Sequence, residues 1–129
     1  MTKLFILVDD DPLNNLLLKK TIEKNCEGSN VKDFIEPELA LLYIENEFEE
    51  KYSESKIILF LDINMPTLTG WDFLEEFEKF PAVVKNQFKI YILSSSIDPA
   101  DIKRAKQNPL VIDFIEKPIN KNFLLKIFI

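Results

Sequence analysis

Five short apolar runs recur along the chain, and each closes on polar or turn-forming residues. Lys3–Val8 ends on Asp9-Asp10-Asp11, Val31–Ile35 on Glu36-Pro37, and Ile57–Leu61 on Asp62. Phe88–Leu93 ends on Ser94-Ser95-Ser96, and Leu110–Ile115 on Glu116-Lys117-Pro118. Runs apolar at successive positions suit strands buried on both faces, as in a parallel sheet. The segments between them carry helical signals. Asp11-Pro12 supplies an N-cap and a first-turn proline, and Leu13, Leu16, Leu17 and Ile22 predict a broad apolar helix face that fades near Cys26 and Gly28. Glu36-Pro37-Glu38 opens a second helix, with acids where the helix dipole favours them. Its Leu39, Tyr43, Ile44 and Phe48 recur at helical spacing, while Glu45, Glu47, Glu49 and Glu50 read as a solvated face. A polar linker, 51–56, precedes the third strand.

Gly70 ends the loop after Asp62, and Trp71, Leu74 and Phe77 mark one side of a third helix that ends near Phe80-Pro81. Asp98-Pro99 repeats the cap signal. The helix it opens runs to about Gln107, is thinly apolar (Ile102, Ala105), and carries Lys103, Arg104 and Lys106 before Asn108-Pro109 breaks it. A last helix runs from about Asn120 to the end. Strand–helix alternation repeated five times predicts an α/β fold: a parallel sheet with helices on both faces and right-handed crossovers. No repeat or boundary divides the chain, so residues 1–129 read as one domain with no output domain.

Composition and charge sharpen this picture in five places. Eleven Phe against one Trp and three Tyr predict a Phe-rich core. A formal charge of −6 disfavours nonspecific binding to nucleic acid or an anionic membrane, so neither direct DNA binding nor membrane association is expected. The single Cys26 forms no internal disulfide and reads as a small half-buried hydrophobe. With no leader-like stretch and no bilayer-length apolar run, the expected location is cytoplasmic. There is no His, so neither phosphohistidine nor an imidazole base is available within the chain.

In a parallel sheet all strand C-termini share one edge, and ligands bind there. Asp9 and Asp10 follow the first strand, Asp62 the third, Ser94 the fourth and Lys117 the fifth, so three acids, a hydroxyl and a cation converge. Like charges about 4 Å apart repel by about 4 kcal/mol at an effective dielectric near 20, which a bound cation relieves. All-oxygen ligands select a hard ion, and Mg²⁺ suits a cytoplasm. A carboxylate beside such an ion can accept a phosphoryl group, with Lys117 and Ser94 placed to hold phosphoryl oxygens. Asp11 reads as the cap alone. Taken singly, Lys117 is an ordinary surface residue, Ser94 a turn former and Asp62 a loop cap; their joint placement on one edge carries the inference.

At these residues the chain resembles the receiver domain of response regulators in two-component signalling. The likeness rests on the acidic pair Asp9-Asp10, Asp62-Ile63-Asn64-Met65-Pro66 with Gly70 following, Ser94, and Lys117-Pro118. It implies a flavodoxin-like (βα)5 three-layer sandwich with strand order 2-1-3-4-5. It also implies that Asp62 is the phosphoacceptor, that Asp9, Asp10, Asp62 and the Asn64 main-chain carbonyl hold Mg²⁺, and that Ser94 and Lys117 bind the phosphoryl group. Ser94 and Phe114 match the switch positions, and a cis bond before Pro118 is usual. Ser94 stands where Thr is commoner and Phe114 where Tyr is frequent. Asn64 and Ser96 occupy positions that tune hydrolysis. The implied partners are a sensor histidine kinase or phosphotransfer protein and a downstream protein target, met through the fourth of the five helices, the fifth strand and the last helix. Turnover beyond self-phosphorylation and slow self-hydrolysis is not expected.

The last helix reads Phe123-Leu124-Leu125-Lys126-Ile127-Phe128-Ile129, with one polar residue in seven. Ile119, Phe123 and Ile127 can face the core, which leaves Leu125, Phe128 and Ile129 for a second cover and predicts a homodimer or partner contact there. Two alternatives share the fold. A flavodoxin-like cofactor binder needs a phosphate cradle after the first strand, where three acids stand instead. A receiver-like interaction module that is never phosphorylated keeps the fold without the chemistry.

Overall fold

A computed structural model describes residues 3–47 and 57–128. The elements run β1 (Leu4–Val8), α1 (Pro12–Asn25), β2 (Asn30–Phe34), α2 (Pro37–Glu47), β3 (Ile57–Asp62), α3 (Gly70–Glu78), α4 (Ala82–Lys85), β4 (Phe88–Ser94), α5 (Pro99–Gln107), β5 (Val111–Glu116) and α6 (Lys121–Phe128). All strand pairs are parallel, in the order β2-β1-β3-β4-β5. This is the flavodoxin-like sandwich the sequence implies. Each expected strand is present within a residue or two. The short α4 has no counterpart in the hydrophobic pattern, which offers only Val84 as a buried residue there. The polar linker, Phe48, Glu49 and Glu50 lie outside the described residues.

The central strands sort their side chains with period two. Ile6, Val8, Leu59, Leu61, Ile90 and Ile92 face one layer with Ala40, Ile44, Phe73, Phe77 and Ala105. Phe5, Leu7, Ile58, Phe60, Tyr91 and Leu93 face the other, against Ile22, Cys26 and Leu124. Thus α1 and α6 cover one face, and α2, α3 and α5 the other. The expected Phe-rich core occupies both faces, with Phe73 and Phe77 of α3 on one and an aromatic row under α1 and α6 on the other. Phe5 stacks on Phe60 at 6.2 Å, Phe60 meets Tyr91 at 5.7 Å, and Phe123 meets Tyr91 edge-on at 5.6 Å. Cys26 is fully buried rather than half-buried, and burial pushes its thiol pKa up. An inert thiol follows.

The first helix departs from its pattern. Ile22 is buried, but Leu13, Leu16 and Leu17 are exposed. The inward stripe is instead Asn15, Leu18 and Ile22, continued by Cys26, at spacings of three and four. Asn15 is the polar member of that stripe because its amide closes main-chain groups at the sheet edge. Its Nδ2 donates to the Asp9 carbonyl at 3.0 Å and to the Phe34 carbonyl at 3.2 Å. The bond to the Asp9 carbonyl is buried, so Asn15→Ala is expected to destabilise the fold by about 1–3 kcal/mol. A urea unfolding curve measures this; an unchanged midpoint would contradict it. Likewise Leu39 and Leu42 on α2 are exposed while Ala40 and Ile44 are buried.

Both sheet edges are guarded. β2 carries Lys32 and Asp33 outward. In β5 the register slips, with Ile90 opposite Val111 but Tyr91 opposite Asp113, so Ile112 is an extra bulged residue. In α6 Leu124 is buried, Phe123 and Ile127 pack on the core, and Leu125 is half-buried. Its exposed residues are Lys121, Asn122 and Lys126. The Phe128 side chain and Ile129 lie outside the described residues.

Candidate functional site

Parallel topology delivers the predicted residues to one edge. Asp62 is the last residue of β3 and Ser94 the last of β4, and both are buried. Asp9 is buried just past β1, whereas Asp10 is exposed. Asp9, Asp10 and Asp62 each offer a carboxylate oxygen, and the three oxygens lie within 4.8 Å of one another. Asp11 stands apart as the N-cap of α1, its Oδ1 accepting from the Leu13 N–H at 2.9 Å.

Lys117 reaches into this cluster from the loop after β5, whose bond to Pro118 is cis. Its Nζ lies 2.6 Å from Asp9 Oδ2 and 3.6 Å from Asp62 Oδ1. The main chain ties the same residue to β4, since the Lys117 N–H donates to the Ser94 carbonyl at 2.8 Å. Burial, more than any other influence, pushes the Asp62 carboxyl from the ordinary 3.8 up to about 6. Asp9 adds to the rise, and Asp10 adds slightly, while Lys117 and the Asn64 N–H oppose it. One lysine thus serves two buried acids, a cluster short of positive charge.

A run of hydrogen bonds leads sideways from Asp62. The Asn64 N–H donates to Asp62 Oδ1 at 3.2 Å, and Asn64 Nδ2 donates to Ser94 Oγ at 3.4 Å. The Ser94 hydroxyl donates to the Ser96 carbonyl at 2.7 Å, and its oxygen accepts from the Ser96 N–H at 3.2 Å. Its proton is therefore directed at its own turn rather than at Asp62. Gly70 closes the floor, because its N–H donates to the Ile63 carbonyl at 3.1 Å. A Cβ there would stand 2.7 Å from Ile63 Cα and 2.8 Å from the Asp62 carbonyl oxygen. Phe114 is half-buried on the α5 side of β5. It lines a groove with Ile97, Ile102, Lys106 and Ile112.

The sequence model of the response regulator receiver domain matches residues 5–129. The chain belongs to that receiver family. A solved response regulator receiver protein from Dyadobacter fermentans is similar at 24% identity and a TM-score of 0.86, covering 97% of this chain and 94% of its own. A two-component response regulator from Cytophaga hutchinsonii shares 26% identity at a TM-score of 0.81, covering 98% and 96%. A CheY-like receiver domain from Methanospirillum hungatei shares 25% at 0.76, covering 98% and 90%. No curated protein matches the chain. A phosphoacceptor role in signalling follows in general terms from membership of the receiver family. Among the described residues no helix is long and apolar enough to cross a membrane.

The donor set of this receiver fits Mg²⁺. Three clustered carboxylates supply only oxygen, two are buried, and no His or Cys competes. Two features gave little signal in the sequence. Asn15 stands out only as an amide at helical spacing within an apolar stripe. The partners of Trp71, described below, come from a helix 30 residues away and leave no local pattern.

Proposed function

We propose that this receiver takes a phosphoryl group onto Asp62 from the phosphohistidine of a partner kinase or phosphotransfer protein, and then changes a protein–protein contact. The observation that carries the reading is the meeting of Asp9, Asp10, Asp62 and Lys117 at one buried edge. An Asp62 carboxylate oxygen attacks phosphorus, and the phosphorus–nitrogen bond of the donor breaks. The imidazole nitrogen leaves with the electron pair and takes its proton from solvent. No base is needed, because Asp62 reacts as the anion.

Asp9, Asp10, Asp62 and the Asn64 carbonyl would hold Mg²⁺. When bound, the ion supplies positive charge that offsets acid–acid repulsion and phosphoryl charge. Lys117 supplies the neighbouring positive charge, moving from Asp9 toward the phosphoryl oxygens. Ser94 gives up the Ser96 carbonyl to donate to the phosphoryl group, and Phe114 follows the space this vacates. A protein donor finds Leu13, Leu16 and Leu17 exposed on the first turns of α1, the helix that Asp11 caps. Beside the Lys117–Asp9 pair it finds a cleft of about 250 Å³ lined by Leu17, Leu18, Pro118 and Ile119.

Intact mass after incubation with Mg²⁺ and acetyl phosphate tests the reading. One phosphoryl adduct is expected, absent without Mg²⁺ and absent in Asp62→Asn. An unchanged mass with several small donors and with a phosphohistidine protein would instead favour a module that is never phosphorylated.

A further inference from the structure

Trp71, the chain's only tryptophan, is the second residue of α3 and directly follows Gly70. Its indole is buried and is gripped from α5 on two sides. The Nε1–H donates to Asp101 Oδ1 at 3.2 Å, and the Arg104 guanidinium lies over the ring, 4.6 Å from its centroid. Asp101 and Arg104 are three apart, one turn of α5, so both reach the same ring. The rest of α5 is lightly anchored. Ala105 is its only buried residue, and Ile102 is half-buried.

The two ends of this contact lead back to the site by different routes. Trp71 is fixed to the phosphoacceptor loop through Gly70, whose backbone rests on Asp62 and Ile63. The N-cap of α5, Asp98, lies four residues beyond Ser94. Ser94 is engaged with Ser96 at both its donor and its acceptor. Any turn of Ser94 toward Asp62 disturbs that loop and draws on the start of α5. A displacement of α5 along α3 would carry Asp101 and Arg104 past the Trp71 ring.

We propose that Trp71, Asp101 and Arg104 form a clasp that holds α5 on α3 and sets how readily the switch leaves its resting arrangement. This rests on the phosphoacceptor reading of Asp62 for its link to phosphoryl uptake, though not for the clasp itself. An acid at the ring edge and a cation on its face complement the indole's positive edge and negative face. Loosening either contact frees α5 and lowers the barrier to uptake. Trp71 and its partners touch no reacting atom and act only through position.

The test uses the full chain with Mg²⁺ and the variants Arg104→Ala, Arg104→Lys and Asp101→Ala, which removes the acceptor for the indole N–H. Arg104 is exposed, so its replacement leaves the core intact. In Arg104→Ala and Asp101→Ala the amides of 100–107 are expected to exchange roughly 3- to 10-fold faster, with those of β1 and β3 unchanged. Phosphoryl uptake from acetyl phosphate is expected to rise by a similar factor, roughly 3- to 10-fold. Arg104→Lys, which keeps a cation, should fall between Arg104→Ala and the parent. Unchanged exchange in 100–107 overturns the clasp. So does faster exchange with an unaltered uptake rate in a protein whose Asp62 takes the phosphoryl group. If the parent takes none, the phosphoacceptor reading fails by itself, and the exchange result alone decides the clasp.

Discussion

In chelator at pH 7, Asp62→Asn is expected to be more stable than the parent, and the two are expected to converge near pH 4. The Asp62 carboxyl has its pKa raised from 3.8 to about 6, with burial as the largest cause. Between those values the folded protein binds a proton that the unfolded chain does not. The parent therefore loses stability as pH rises from about 4 through 6, and the loss persists above. At about 1.4 kcal/mol for each tenfold, it amounts to roughly 3 kcal/mol. Asparagine keeps an acceptor for the Asn64 N–H and carries no charge to repel Asp9. Lys117 keeps its 2.6 Å partner Asp9. The expected gain in melting temperature is roughly 10 °C at pH 7 and close to zero at pH 4. Saturating Mg²⁺ should raise the melting point of the parent far more than that of Asp62→Asn. Equal pH profiles in chelator would show that the acids do not repel as their burial implies.

Gly70→Ala is expected to lower both stability and phosphoryl uptake. The added methyl would meet backbone on two sides, at 2.7 Å from Ile63 Cα and 2.8 Å from the Asp62 carbonyl oxygen, and the Ile63 Cγ2 at 2.9 Å. The two backbone atoms cannot rotate away as a side chain can. Either α3 lifts or the end of β3 shifts, at a cost of roughly 3 kcal/mol. A shift at β3 moves the acceptor itself, and displacement on the order of 1 Å costs roughly 100-fold in rate. Phosphorylation measured well below the melting temperature separates the two effects. A variant that unfolds earlier yet takes phosphate at the parental rate would mean that α3 alone yields.

Strands and site were legible because they depend on local rules. Five apolar runs ending on polar residues define a parallel sheet, and such a sheet has only one functional edge. Asp9, Asp10, Asp62, Ser94 and Lys117 could be placed there without coordinates. Helix faces were less legible. Leu13, Leu16 and Leu17 suggest a buried face, but α1 turns Asn15, Leu18 and Ile22 inward. Burial of Asn15 is offset by two main-chain acceptors in other elements, which no local pattern records. α4, at four residues, is too short for periodicity to mark. Which residues Ser94 and Lys117 engage at rest also lies beyond sequence, because it depends on distances among four loops.

The bulge at Ile112 bears on how anything can attach to the β5 side of the sheet. An edge strand with regular pairing invites another chain to extend the ladder through its own main chain. Here the extra residue breaks the spacing of outward amides and carbonyls, and leaves the 53% exposed Ile112 standing from the rim. Strand addition along β5 is discouraged. A visitor to this rim reads it by shape and side-chain chemistry, features that a hydrogen-bonded ladder would mask. The irregularity disfavours polymerising along this edge, so a contact made here rests on side chains rather than on a shared ladder.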